Sequence, residues 1–224
     1  MKRKLFVVAL AICLVAVMAC GSLAYFTASH SVTNTFKVAK SDDPTPPEDP
    51  DDIFSVQVTE NGNPTGQTFD GIKPGDVKDK KPVITNTGKF DQWVRVIVKF
   101  DCADKWLAIK DSKGQARYTA AGLFDALIGK VAGSGFVASK WDAVNPSAAD
   151  GNNKLVYTFY LKDKLPAGDS GKVTIFEKVA IPTELSVEDM ATLKEFHIEV
   201  SAEAIQADNT GNSCKGAFDN YWGK

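Results

Sequence analysis

The chain has 224 residues, of which 44% are apolar and 24% are charged, a composition typical of globular proteins. The length allows one sizeable domain, or one domain with long appendages. The formal net charge is −2, and nucleic-acid binding requires clustered Lys and Arg side chains. The composition therefore argues against a nucleic-acid partner.

The N-terminus has the three-part pattern of a secretory signal peptide. Three cationic residues at positions 2–4 precede an uninterrupted apolar run, Leu5–Cys20, and the small residues Ser22 and Ala24 stand three and one before Tyr25. A signal peptidase recognises small residues at those two positions. The sequence therefore predicts a signal peptide over 1–24, cleavage after Ala24 and a secreted product.

Two alternatives remain open for this segment. Leu5–Phe26 carries no charge and is about as long as the ~20 residues that span a bilayer, so a retained membrane anchor is one alternative. The other is lipidation at Cys20, which follows a small residue as in a weak lipoprotein motif. Under either alternative the chain would stay attached to a membrane.

The residues after the cleavage site predict a lone strand. In "SVTNTFKV" the residues alternate between two faces, and one face carries Val32, Asn34, Phe36 and Val38. Alternation with β-branched residues indicates a β-strand. Because a short, half-polar strand is not stable alone, this N-terminal arm (residues 25–40) needs a sheet to join.

An acidic, proline-rich stretch separates the arm from the rest of the chain. Residues 41–52 read "SDDPTPPEDPDD", which contains too few apolar side chains to pack a core. Such a stretch is expected to be an extended tether, because its charges repel one another and proline favours polyproline geometry. The arm could therefore pair with its own domain or with a neighbouring copy.

The predicted body, residues 53–207, contains many short strand patterns separated by Gly, Pro, Asn and Asp clusters. The predicted strands are "IFSVQV", "PVITNTG", "QWVRVIVKF", "KWLAIK", "KLVYTFYL", "KVTIFEKVAI" and "FHIEVSAEAI". Two segments predict helices, "AAGLFDALIGKV" and "LSVEDMATLKEF", the second with Ser186 and Asp189 at capping-box spacing. The pattern predicts a mainly β fold, a jelly-roll-like β-sandwich with short helical inserts, followed by a C-terminal tail at 208–224.

The sequence predicts no enzyme, no metal site and no cofactor. Its two histidines, His30 and His197, are far apart and neither stands in the His-Glu-x-x-His pattern of a zinc protease. A catalytic pair of Cys102 and His197 is possible by composition, but no local pattern indicates an activated thiol. After cleavage only Cys102 and Cys214 remain, and they predict either one disulfide or two free thiols.

Three stretches carry a resemblance to a known family. "LAYFTASHSVTNTFKVAK" resembles the junction of proteins processed by the SipW-type signal peptidase. "GIKPGDVKDKKPVITNTGKFDQWVRVIVKF" resembles their Pro-Gly-Asp turn followed by a strand, an Asn-x-Gly turn and a Val-Arg-Val strand, and "FHIEVSAEAIQADN" resembles their closing strand. On these residues the chain resembles the TasA/camelysin family of secreted biofilm-matrix fibre subunits of Gram-positive bacteria.

The resemblance implies a structural role in the extracellular matrix or at the cell surface. It implies a jelly-roll subunit whose N-terminal strand, freed by SipW-type cleavage, completes the sheet of the next copy, so that copies of this chain and other matrix components are the expected partners. The donor-strand residues would be Tyr25, Phe26, Val32, Asn34, Phe36 and Val38. The alternatives are a monomeric adhesion or ligand-binding module and, from the label that some camelysin-like members carry, a metalloprotease.

Overall fold

The computed structural model describes residues 27–36, 55–168, 170–208 and 210–222. It has two main antiparallel sheets that share one hydrophobic core, with helices in the connections. The predicted mainly β sandwich with short helical inserts is therefore confirmed. The signal segment, the tether at 41–52 and the arm residues Tyr25, Phe26 and Val38 lie outside the described residues.

The larger sheet has five strands in the order β1-β10-β5-β7-β6. Their bounds are Thr27–Phe36 (β1), Gln92–Phe100 (β5), Trp141–Val144 (β6), Leu155–Leu161 (β7) and Phe196–Gln206 (β10). The smaller sheet has the order β2-β4-β8, with bounds Val56–Glu60 (β2), Pro82–Asn86 (β4) and Lys172–Thr174 (β8). A two-stranded ribbon pairs Val77–Asp79 (β3) with Lys178–Ala180 (β9).

The core lies between the two main sheets. Alternate residues of β5, which are Val94, Val96, Val98 and Phe100, are fully buried, which is the period-two pattern of a strand with one face on the core. The smaller sheet contributes the buried residues Val58 and Ile84 to the same cluster. The buried face of β5 thus forms part of one wall of the core.

The first helix replaces a predicted strand. Residues Ala103–Ala108 form α1, so the strand predicted for "KWLAIK" is wrong. Ala103 and Trp106 are both fully buried and stand three apart, which places them on one face of a helix and on opposite faces of a strand. The Trp106 ring packs edge-on against Phe196 at a centroid distance of 5.1 Å.

The other two predicted inserts are present in modified form. Val187–Leu193 forms α2, where Ser186 and Asp189 make the predicted capping box. The other predicted helix is reduced to the π-helical turn Asp125–Gly129, which buries Leu127 and Ile128. The predicted strand "KVTIFEKVAI" is split into β8 and β9 by the buried residues Ile175 and Phe176.

The C-terminal segment contains a helix that the sequence analysis did not predict. Cys214–Trp222 forms α3, and it covers one end of the outer face of the larger sheet. Its Phe218 ring is buried against Tyr160, with a centroid distance of 5.8 Å, and the Arg95 guanidinium lies 4.5 Å from that ring. Further along, the same face carries the ion pair of Lys99 with Glu199.

A buried ion pair ties β2 to the connection between β3 and β4. The Lys80 ammonium lies 2.8 Å from Glu60 Oε2, and the exposed fractions of the two side chains are 0% and 1%. Burial lowers the pKa of Lys80 to about 8, although the Glu60 carboxylate acts in the opposite direction. Because Glu60 belongs to β2, this pair holds the strand that lies beside the N-terminal arm.

Candidate functional site

The N-terminal arm forms β1, an edge strand of the larger sheet. It pairs with β10 in antiparallel register from Thr27 opposite Ile205 to Phe36 opposite Phe196. Among the described residues, β1 has no strand partner in this sheet other than β10. The arm is therefore held on one side by a backbone ladder, whose hydrogen bonds contribute about 1 kcal/mol each net.

The register places the predicted donor-strand positions opposite the core face of β10. Directly paired residues of an antiparallel sheet lie on the same face. The pairs are Val32 with Val200, Asn34 with Ile198 and Phe36 with Phe196, and all three partners on β10 are buried. The register thus places positions 32, 34 and 36 of the arm beside buried residues of β10.

His30 links the arm to the second sheet, a contact that the sequence analysis missed. The backbone N–H of Val58 in β2 donates a hydrogen bond to Nδ1 of His30 at 3.2 Å. The imidazole is half-buried, and burial lowers its pKa. Because His30 has the same strand parity as Val32, alternation could have placed it on the core side.

The outer face of the larger sheet carries a cluster of charged side chains beside the arm. Lys99 and Lys154 each lie 3.1 Å from the Glu199 carboxylate, and His197 Nδ1 lies 2.5 Å from Asp101 Oδ2. These five residues line an open cavity of about 250 Å³. Burial alone would raise the pKa of Glu199, but hydrogen bonds from the two lysines hold it below its usual value.

Ion pairs on this outer face join neighbouring strands of the larger sheet. Cross-strand pairs of opposite charge, Lys99 with Glu199 and Arg95 with Glu203, connect β5 to β10. These side chains are partly exposed to solvent, and ion pairs that solvent can screen contribute up to about 1 kcal/mol each. The arrangement therefore stabilises the strand to which the arm is bound.

The Cys102 thiol is not arranged as a nucleophile. Its Sγ contacts the Glu195 backbone carbonyl at 3.4 Å, and His197 Nδ1 is occupied by Asp101. Burial, followed by the Asp101 charge, raises the pKa of the Cys102 thiol, and a raised pKa disfavours the reactive thiolate.

Cys102 and Cys214 are both free thiols in the structure. Cys214 Sγ lies 3.1 Å from the Val94 carbonyl oxygen, whereas Cys102 follows the far end of β5. The eight-residue separation along an extended strand corresponds to about 26 Å, and a disulfide requires Cα atoms within about 7 Å. The disulfide alternative is therefore wrong for this fold.

Two features, a metal-binding cluster and a membrane-spanning helix, are absent from the part of the chain that the structure describes. There, no group of three or more His, Cys, Asp or Glu side chains is placed to hold a metal ion. Over the same residues, no helix has both the length and the apolar character needed to cross a membrane. No protein-family model, curated protein or solved structure matches the chain.

Proposed function

We propose that the chain is a secreted structural subunit of extracellular matrix fibres, which assembles head-to-tail by N-terminal strand insertion after signal cleavage. In this proposal β1 of one copy leaves its own sheet and pairs with β10 of the next copy. Inserting a strand into a different copy is a heterologous contact, and repeated contacts of that kind produce a filament. The edge position of β1 is the observation that carries the proposal.

The means of attachment of the arm supports such an exchange. A strand held by one ladder can be replaced by an identical strand from a neighbour, because both make the same backbone hydrogen bonds and fill the same space. Burial of the partner positions Phe196, Ile198 and Val200 gives the incoming strand an apolar face to cover. An unoccupied β10 edge would present unpaired donors and acceptors, so it favours capture of a second arm.

The length of the connection between β1 and β2 also supports exchange. The connection, residues 37–55, could span up to ~59 Å at about 3.1 Å per residue in polyproline geometry. A compact domain of this size is about 40 Å across. The connection is therefore long enough for an arm to reach the β10 edge of an adjoining copy.

A second candidate function is a monomeric cell-surface adhesion or ligand-binding module. One observation favours it, which is that β1 pairs with β10 of its own chain. An arm docked in its own chain and an arm docked in a neighbouring copy make the same contacts. The equilibrium between these two arrangements therefore depends on the effective concentration of the tethered arm, which is on the order of millimolar for a short flexible linker. Assembly therefore requires high local concentration, as at a cell surface, or cleavage that frees the arm before it docks.

The test is electron microscopy of two chains, one beginning at Tyr25 and one lacking Tyr25–Ala39. We expect fibres from the first chain at high concentration, and a folded protein without fibres from the second. Fibres from the shortened chain would refute strand insertion. A single monomer peak from the Tyr25 chain in size-exclusion chromatography, at every concentration up to millimolar, would favour the monomeric module.

We also propose that the protein is not an enzyme, in line with the arrangement of Cys102 and His197. A casein-cleavage assay of the Tyr25 chain, with and without a metal chelator, tests the metalloprotease alternative. We expect no cleavage in either sample. Cleavage that the chelator abolishes would contradict this part of the proposal.

A further inference from the structure

One side chain of the arm bridges the two sheets at their edges. Val58 lies in β2, the edge strand of the smaller sheet, and His30 lies in β1, the edge strand of the larger one. The 3.2 Å hydrogen bond from Val58 N–H to His30 Nδ1 crosses between them. Val58 is fully buried, so this amide depends on a protein acceptor.

The bond fixes which residue of the arm must face Val58. A slip of the arm by two residues preserves the faces of the strand but brings Ala28 or Val32 to the position of His30. Neither side chain has a hydrogen-bond acceptor. Neither of the two nearest registers that preserve the faces of the strand therefore satisfies the Val58 amide.

The bond also requires a neutral imidazole. Nδ1 accepts a hydrogen bond only when it carries a lone pair, and both nitrogens of the imidazolium are donors. Protonation of His30 would turn an acceptor into a donor that faces the donor of Val58. It would also place a charge between the two sheets.

We propose that His30 sets the register of the arm and makes its docking dependent on protons, so that acidification releases β1 from β10. This inference deepens the proposed function, because it names what controls the exchange of the strand on which assembly rests. At neutral pH the arm stays paired with β10. A lower pH loosens every arm, whichever copy it occupies.

No charged group among the described neighbours of His30 is placed to compensate the positive charge of a protonated imidazole. Its register partner on β10 is Ala202, and the next residues on that face are Val200 and Ala204. Glu199 and Glu203 of β10 belong to the outer face, where they pair with Lys99 and Arg95. On β2 the titratable residue is Glu60, which is bound to Lys80.

The direction of the pH dependence follows from the pKa of His30, which burial lowers below that of a free arm. Above the pKa of the free imidazole, about 6.5, both states are neutral and docking has its full strength. Below it the free arm gains a proton that the docked arm lacks. The docking equilibrium then weakens by up to about tenfold per pH unit until the docked His30 is also protonated.

The test compares wild type with His30→Asn and His30→Ala in chains that begin at Tyr25, which contain every described residue. Asn offers an amide oxygen near the position of Nδ1 and does not titrate, whereas Ala removes the acceptor. Hydrogen exchange of the amides of β1 and β10 is measured in dilute, monomeric protein at pH 7.5 and 5.5. Exchange rates of the variants at the same pH cancel the intrinsic effect of pH on exchange.

We expect wild type to lose up to about tenfold in protection, relative to His30→Asn, when the pH falls to 5.5. His30→Ala is expected to be weakly protected at both pH values. Equal responses of wild type and His30→Asn would overturn the inference, and this comparison remains decisive if His30→Ala does not fold. Because the measurement uses monomers, a failure to form fibres would refute the proposed function and leave this result intact.

Discussion

The buried pair of Lys80 and Glu60 allows a quantitative test of how β2 is held beside the arm. The change is Lys80→Met, which keeps the approximate volume of the side chain and removes its charge. The variant leaves the Glu60 carboxylate buried, and Glu60 Oε1 already has no hydrogen-bond partner among the described atoms. Removing one member of a buried ion pair costs about 3–5 kcal/mol.

The measurement is urea-induced unfolding of the Tyr25 chain, followed by the fluorescence of the buried tryptophans Trp93, Trp106 and Trp141. We expect Lys80→Met to lower the free energy of unfolding by about 3–5 kcal/mol. The double variant Lys80→Met with Glu60→Met serves as the control, because an apolar pair of similar volume is often as stable as a buried ion pair. It should recover most of the loss.

A loss below about 1 kcal/mol for Lys80→Met would refute this reasoning, since that is the value of an exposed ion pair. A double variant with the same free energy of unfolding as Lys80→Met would also refute the claim that the unpaired Glu60 charge causes the loss. The loss would then come from packing of the Lys80 side chain and not from an uncompensated charge.

Two further predictions concern the helices and the thiols. Ser186→Ala should lower the free energy of unfolding by about 0.5–2 kcal/mol, because the variant loses the N-terminal cap of α2. The control is Val187→Ala, at a side chain that is 80% exposed, which should change the free energy of unfolding by less than about 0.5 kcal/mol. Equal effects of the two substitutions would contradict a capping role for Ser186. Unfolded Tyr25 chain, without reductant, should react with a thiol reagent at both Cys102 and Cys214, and the folded chain should keep Cys214 unreactive because burial raises its pKa to about 12. An unfolded chain without reactive thiols would show that the two cysteines are bonded.

The parts of the fold that follow from local pattern were predictable from the sequence. The alternation of Val94, Val96 and Val98 marks a strand with one buried face, and Ser186 with Asp189 marks the start of α2. In both places the residues that determine the structure are within a few positions of one another. The same holds for the arm, whose alternation predicted a strand where β1 lies.

The parts that depend on distant residues were not predictable in the same way. Trp106 is helical because its ring packs on Phe196, which lies far along the chain. The position of helix α3 depends on contacts with distant residues, because Phe218 packs against Tyr160 and Arg95 on the outer face of the larger sheet. The partner of His30 is a backbone amide in the other sheet, and side-chain pattern carries no information about such a contact.

The exchange of arms between copies is tested most directly by cross-linking two different variants. Ser31 and Ser201 are register partners on β1 and β10, and paired residues of an antiparallel sheet have Cα separations of about 4.5–5.5 Å, which a disulfide can bridge. One Tyr25 chain carries Ser31→Cys and the other carries Ser201→Cys. They are mixed before assembly, concentrated and oxidised, with wild type oxidised in parallel as the control.

The account predicts a disulfide between residue 31 of one variant and residue 201 of the other, identified by mass spectrometry of the joined peptides. A chain with both substitutions, oxidised while dilute, should close within itself and then fail to form fibres until it is reduced. The account would be contradicted if the doubly substituted chain closed internally while the mixed variants, at millimolar concentration, gave no bond between residues 31 and 201.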